Sequence, residues 1–481
     1  MNDELETTTS TEAKPLKLNM KRTFIIGFAF FGILLLWQVY DSWCPTFLTE
    51  LFKKAFKKDS AEDVQYLVGV MMALDNLAAL ILLPIFGNLS DKTHTKIGKR
   101  MPYILVGTAV CAIAFPFIPV FFHFNNIAGV LSMMAIVVIF AMMYRNPAVA
   151  LMPDITPKPL RSKANGIINI MGYIGGAFAT VVGIFFVLSQ YLGTKLDKNG
   201  NPVITWQTGN IWAIEIPFLV GSVLMLVSAI VLFLTIKENK LAEEVKDDMA
   251  RGEELAEVVD KVDDDKPMSK ANLVMLLLIL GAEFFWFMAD NGIATFMGNY
   301  TVYHLKSSTA NNMINTIVGG IGSVLGFALG GIIASKLGRK WTLFGGLGLT
   351  FVAYLIWTIL SFAVPVVEGQ FPFYIYIIWF AKGFGMSLVH VNSFPMVVEL
   401  CSSKKIGRFT GYYYAASMAA QTITPIALGS LLLVPGFDFV ILPVYGLACV
   451  AIAAIIFFFV KNVKSTKTTF KKGLEALDQD D

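Results

Sequence analysis

Apolar stretches of about 20 residues, the length a helix needs to cross the hydrocarbon core of a bilayer, recur about twelve times along this chain. No backbone polar group can be left unpaired in lipid, so such stretches fold as helices that satisfy their own hydrogen bonds. With 56% hydrophobic and 15% charged residues among 481, the chain carries more apolar surface than a soluble domain of this size buries. An all-α polytopic membrane protein is therefore expected. Hydropathy places helices at roughly 23–48, 65–89, 102–122, 127–151, 164–189 and 211–236, then at 271–297, 313–335, 341–364, 373–398, 409–433 and 437–460. Residues 237–270 between the sets hold acid-rich blocks that lipid excludes, and read as a solvated, partly helical linker.

The expected organisation is a tail (1–22), a six-helix half (23–236), the linker (237–270), a second six-helix half (271–460) and a tail (461–481). Three echoes support the duplication. Residues 87–100, G-N-L-S-D-K-T-H-T-K-I-G-K-R, are matched by residues 331–340, G-I-I-A-S-K-L-G-R-K. The W-x-x-x-D of Trp37 and Asp41 in the first helix returns as Trp286 and Asp290 in the seventh. A basic residue and a glycine open both the fifth helix (Arg161, Gly166) and the eleventh (Arg408, Gly411). Carriers built of two repeats keep their substrate site at the seam between them.

Basic residues settle the expected orientation. Lys92, Lys96, Lys99, Arg100, Lys158, Arg161, Lys163, Lys336, Arg339, Lys340, Lys404, Lys405 and Arg408 share one side, which the positive-inside rule makes cytoplasmic. Both termini and the linker join them there, in the plasma or inner membrane. The lysines at 53, 54, 57 and 58 are the outer-face exception. The polar N-terminus reads as a cytoplasmic tail ahead of a retained helix, not a cleaved signal. Cys44, Cys111, Cys401 and Cys449 show no metal or C-x-x-C spacing and read as packing residues. No metal site, organic cofactor or nucleic-acid partner is expected. Nor is an enzyme, since no nucleophile–base pair or phosphate loop appears.

Ionisable residues within apolar helices are costly, and normally face a cavity or a partner. Here they are Asp41, Asp75, Arg145, Glu283, Asp290, Lys382 and His390. Asp41 and Asp290 are expected toward the outer ends of their helices, with Asp75 and Glu283 nearer mid-depth and Arg145 near a cytoplasmic end, where it snorkels. Carboxylates in a partly dry cavity can exchange protons near neutral pH, which makes Asp41, Asp75 and Glu283 the candidate coupling residues. The competing reading is a structural ion pair such as Asp41 with Lys382. Solute recognition needs flat apolar faces and a few well-placed polar groups. Trp37, Gln38, Asp41, Trp286, Asp290, Asn291, Lys382, Asn392 and Gln421 supply that mixture, in a site expected between helices one, two, seven and ten. Trp43 and Trp379 read instead as interfacial aromatics.

At the cytoplasmic side, Asp91 and Arg100 can pair across the loop and hold that side shut, with Gly87 letting helices approach. Asp154 and Glu399 offer matching acids beside Arg161 and Arg408, and Arg339 repeats the loop in the second half. Together these make a gate whose pairs break and reform as the halves rock.

These residues resemble the major facilitator superfamily, whose second–third helix loop has a G-x-x-x-D-x-x-G-R-K pattern. The longer first-half spacer resembles that of the glycoside, pentoside and hexuronide symporters and the sucrose:proton symporters, through Pro84, Gly87, Ser90, Asp91, Gly98, Arg100 and Pro102. Gln38, Pro45, Ala150 to Asp154 as A-L-M-P-D, Ala164–Asn165, and Asp290 within residues 285–292 are also similar to sucrose symporters. The arginine those proteins carry before A-L-x-x-D is absent at Val149, and Ala79 and Leu83 stand where a melibiose-type sodium site has acids. The resemblance implies twelve helices and proton-coupled uptake of a sugar or glycoside, a disaccharide such as sucrose or maltose favoured, by a monomer. The alternative is a uniporter or proton-coupled exporter of another small organic solute.

Overall fold

The computed structural model describes residues 16–192, 194–196, 202–204, 210–260, 270–398, 400 and 406–461. Twelve long helices make up the membrane domain: α1 (Met20–Phe56), α2 (Gln65–Lys92), α3 (Met101–Ala114), α4 (Ile127–Asp154), α5 (Arg161–Phe185), α6 (Trp212–Thr235), α7 (Lys270–Asn299), α8 (Thr309–Leu337), α9 (Arg339–Ala363), α10 (Phe373–Val398), α11 (Ile406–Leu431) and α12 (Ile441–Phe458). Among the described residues, 11 spans are long and apolar enough to cross a membrane. The exception, α11, carries Arg408, Gln421 and a run of hydroxyl side chains, and packs between α2 and α7.

Where the helices depart from the hydropathy reading, local chemistry explains it. The apolar run of α1 fades at residue 48, yet Leu51 and Phe52 are still buried while the lysines beside them face outward, so the helix persists to Phe56. Lys57 then ends it in the left-handed region at φ 52°. The third span is not continuous. Pro116 lacks an N–H, and the chain restarts as a separate turn at Phe117–His123. Beyond Asn299, α7 widens into a π turn, Tyr300–His304. A short antiparallel pair, Thr194–Leu196 with Pro202–Ile204, follows α5.

Two cores form, one from residues of α1 to α6 with the start of the linker and one from α7 to α12 and the turns beside them, which Ala61 of the α1–α2 loop joins. The halves meet where α2 lies on α11 and α5 on α8. Gly69 and Gly429 make the first crossing possible. A Cβ at 69 would sit 2.1 Å from the Pro425 carbonyl oxygen, and one at 429 would sit 2.6 Å from that of Gln65, so the backbones touch. Both glycines lie at the end away from the basic loops. Nearby, a buried polar knot joins three helices: Asn299 of α7 donates to Thr49 of α1 (3.0 Å) and Gln65 of α2 (2.8 Å), and accepts from Thr46 (3.1 Å). Tyr303 Oη donates to Glu50 at 2.6 Å. The face opposite the basic loops is therefore closed. Gly69→Leu is expected to wedge it open, seen as faster labelling by an impermeant thiol reagent of a cysteine placed at Thr46, the four native cysteines having been replaced. Unchanged labelling would show that the α2–α11 contact does not hold this face.

The linker is not merely solvated. Helices Glu238–Glu244 and Lys246–Asp260 occupy most of its described part. The buried Glu238 carboxylate accepts from the backbone N–H groups of Lys99, Arg100 and Met101 at 2.9–3.1 Å, capping α3 from outside its own sequence. Asn239 Nδ2 donates to the Thr95 and Lys96 carbonyls. The local sequence has no acidic cap ahead of α3, so the three amides of Lys99, Arg100 and Met101, which carry positive helix-end character, fall to Glu238. Glu238→Ala should lower stability by about 2 kcal/mol, read as an earlier denaturation midpoint, with Glu238→Gln losing less.

Candidate functional site

Between the halves lies a cavity of about 280 Å³ walled by α1, α7, α8 and α10. From α1 come Gln38, Asp41, Ser42 and Thr46, spaced to share one face, with Gln38 Nε2 donating to Ser42 Oγ at 3.2 Å. Asp41 is exposed to the cavity and forms no ion pair within 4 Å among the described residues. Opposite it, Lys382 of α10 pairs with Asp290 of α7. His390 lies within electrostatic reach of that pair. The pairing expected for Lys382 is thus with its own half, not with Asp41.

The remaining wall is polar and narrow. Asn312, Thr316 and Ser323 of α8 line it together with Gly319 and Gly320. Trp379 of α10 contributes an aromatic face, held edge-on by Trp357 at 5.0 Å. The sequence reading assigned α2 to this wall and Trp379 to the interface. It missed the α8 stripe, whose polar and glycine residues at 312, 316, 319, 320 and 323 follow helical spacing and would have revealed it.

Of the nine candidate substrate contacts, Gln38, Asp41 and Lys382 line the cavity and Asp290 stands behind Lys382. Trp286 does not line it. It is 0% exposed and packs against Phe457 in the second core, because the i, i+4 relation to Asp290 still leaves room for the bulkier side chain to turn inward. Trp37 packs edge-on to Tyr40 within the first core. Asn392 is buried and returns its amide to the Leu388 carbonyl. Asn291 keeps a buried, unpartnered Oδ1. Gln421 enters through its main chain, whose carbonyl accepts from Asn76 Nδ2 at 3.1 Å and so joins α2 to α11 across the seam.

The candidate coupling acids occupy three separate places. Asp41 lies in the cavity. Asp75, half-buried, accepts a 2.8 Å hydrogen bond from the fully buried Tyr40 hydroxyl, one residue before the Asn76 bridge. Glu283 is 0% exposed and away from both. Asp41 and Asp290 are central in their helices rather than near the outer ends, since α1 and α7 run on beyond their apolar stretches. Arg145 lies roughly two and a half turns inside α4, within electrostatic reach of Asp41, so it does not snorkel from a helix end.

Of the expected gate pairs, Asp91 with Arg100 forms, while Asp154 pairs with Arg100 and Lys99 rather than with Arg161. Arg100 donates from Nε to Asp154 (2.8 Å) and from Nη1 to Ser90 (2.6 Å), and pairs with Asp91; Lys99 reaches Asp154 at 3.0 Å. Burial works against the guanidinium charge, but the Asp154 hydrogen bond and the Asp154 and Asp91 charges outweigh it and raise its pKa above the ordinary value. Gly87 admits the Asn146 side chain, which donates to the Leu83 carbonyl. Arg161 holds the Thr156 and Pro153 carbonyls. These bonds knit α2, α3, α4 and the start of α5, and among the described residues do not reach the second half. There, Arg408 donates to Tyr412 at 2.6 Å, Arg339 opens α9, and Glu399 lies outside the described residues.

The family model described as Major Facilitator Superfamily matches residues 26–366 and 279–477. No curated protein matches the chain. Among solved structures, the chain is similar to a D-xylose-proton symporter at 16% identity, covering 92% of this chain and 98% of that one with a TM-score of 0.61. It is similar to the inward-open xylose transporter XylE from E. coli at 15% identity (94% and 98% covered, TM-score 0.60). It is also similar to a peptide transporter POT bound to sulfate at 12% identity (93% and 95% covered, TM-score 0.63). At these identities the likeness speaks for the fold, whose twelve helices and six-plus-six cores are those described above. With the family model spanning both halves, the chain is a multi-pass membrane protein that belongs to the Major Facilitator Superfamily of transporters.

Proposed function

We propose that this transporter moves a sugar or glycoside together with a proton by alternating access. The observation that carries this reading is one small cavity walled by both halves, closed at one face, lined by the Asp41 carboxylate, unpaired among the described residues, and by Lys382 with Asp290 behind it. Its size, near the lower end of the roughly 300–1,000 Å³ typical of ligand sites, suits a small solute. Its lining suits a polyhydroxylated one: hydroxyls and amides from Gln38, Ser42, Thr46, Asn312, Thr316 and Ser323 for the solute's OH groups, and the Trp379 face for its C–H surface. A sugar-proton symporter among the proteins of similar fold is in keeping with this.

Asp41 and Asp75 are the proton carriers in this account. Asp41 meets the solute directly. Asp75 communicates with the seam, since Tyr40 binds it from α1 and the neighbouring Asn76 grips α11. Loss or gain of a proton at Asp75 alters the Tyr40 bond, and with it the α1–α2 packing on which the second half rests. The coupling ion is the proton, no other cofactor takes part, and the site is complete in a single chain.

Ligand binding to the folded state alone raises stability by about 2.7 kcal/mol at a hundredfold excess over Kd. A thermal-shift screen of purified protein against mono- and disaccharides is therefore expected to show a subset that raises the melting temperature, and Gln38→Ala to abolish that rise. No shift with any sugar, but one with another small organic solute, would move the reading to a different substrate class.

A further inference from the structure

Among the described residues, Glu283 is the one carboxyl-bearing residue with 0% exposure that the cavity and the Asp75 pair leave unused. It is 0% exposed, and neither carboxyl oxygen has a hydrogen-bond partner. No cation lies within its electrostatic reach among the described residues. Two turns of α7 separate it from Asp290, on the side of the basic loops, so the Lys382 charge is spent elsewhere. An isolated carboxylate in such surroundings is too costly to keep, so the group is held as the neutral acid in this state.

What faces it is limited and specific. From α11, the buried Tyr413 interacts with it, the hydroxyl engaged by Ser393 Oγ of α10 at 2.9 Å. His390 and Lys382 of α10 face Asp290 instead. Tyr445 and Cys449 of α12 face each other, and Asp41 of α1 faces the cavity and Arg145. Trp286, one turn along α7, offers a buried and unpartnered Nε1. Tyr413 is therefore a donor beside an acid that does not use it. Tyr413, turned from Ser393, can donate to the anion once the proton has left. The first half has the same arrangement in working form, with Tyr40 of one helix on Asp75 of another.

We propose that Glu283, with Tyr413 and Ser393, forms a second proton-binding site in the C-terminal half, separate from Asp41 and Asp75. In one conformation the carboxylic acid O–H stays intact in a dry pocket. In the other, movement of α10 and α11 against α7 admits water, the O–H bond breaks, the proton passes to water, and Tyr413 donates to the carboxylate left behind. The site rests on the proton-symport reading for its use in transport, but not for its detection.

Infrared difference spectroscopy of the full protein in liposomes, titrated from acid to alkaline pH with no solute present, tests this. A carboxylic C=O band is expected that is missing in Glu283→Gln and is lost reversibly as pH rises, with Tyr413→Phe changing the pH of that loss. A band assigned to Glu283 that persists unchanged at every pH, or that is absent from the wild type throughout, overturns the proposal. Should Glu283→Gln not fold, Glu283→Asp makes the assignment by moving the band. Failure of sugar symport would leave this measurement unaffected, so the two ideas fail separately.

Discussion

Asp75→Asn is expected to abolish accumulation of solute against its gradient while sparing exchange of solute across the membrane. The asparagine keeps a carbonyl that accepts from Tyr40, so the 2.8 Å contact and the α1–α2 packing survive. What it lacks is the ability to gain and lose a proton. The internal solute level should therefore rise only to the external one, and counterflow of labelled solute should continue at a rate similar to that of the wild type. Tyr40→Phe provides the complementary case, since it removes the donor and keeps the acid. Both variants are read in reconstituted vesicles with an imposed pH gradient. Full accumulation by Asp75→Asn would remove Asp75 from the coupling mechanism.

Lys382→Met is expected to be severely destabilising. Removing one member of a largely buried pair strands the other, and such losses run to about 3 kcal/mol or more. Here Asp290 would be left with only cavity water and the neighbouring His390. Asp290→Asn alone should cost less, because the lysine can reach the cavity and its Asp41 carboxylate. The double variant should recover much of the lost stability but not transport, and a double-mutant cycle in chemical denaturation separates these contributions. Additive single effects would mean that the pair is not a thermodynamic unit. The same cycle distinguishes a structural pair from one that meets solute: in the second case the Asp290→Asn protein folds well yet no longer responds to sugar.

The fold was legible because its signal is repeated and coarse. Each spanning run is long, and the linker breaks the pattern once. The ends of the helices were less legible, since they depend on where amphipathic extensions such as Leu51 and Phe52 find a buried surface. Site residues with charge were found by their cost in an apolar helix, and three of them meet at or beside the cavity: Asp41, Asp290 and Lys382. Residues whose chemistry is ordinary were missed. Asn312, Thr316 and Ser323 look like any polar residues of an apolar helix until α8 is seen to turn them into the cavity shared with α1. Trp286 was misplaced for the opposite reason, as its motif fixes a position along α7 but not the direction of its ring.

The basic loop gives the same lesson at longer range. Asp91 was expected to pair with Arg100, and does, but spacing did not tell that Arg100 also takes Asp154, which was set beside Arg161. Nor did it reveal that the linker reaches back to hold them. Glu238 lies more than a hundred residues beyond the loop it caps, and nothing local marks it. Its contribution follows from the unsatisfied amides at the start of α3, which require an acceptor from somewhere.

Uptake by vesicles containing the purified protein, with an acid exterior and a sugar chosen by thermal shift, tests the central claim most directly. Internal sugar should rise above the external level while the pH gradient lasts and fall back when a protonophore removes it. Uptake that reaches the same level with or without the gradient would contradict proton-coupled transport and leave a uniporter built on the same fold.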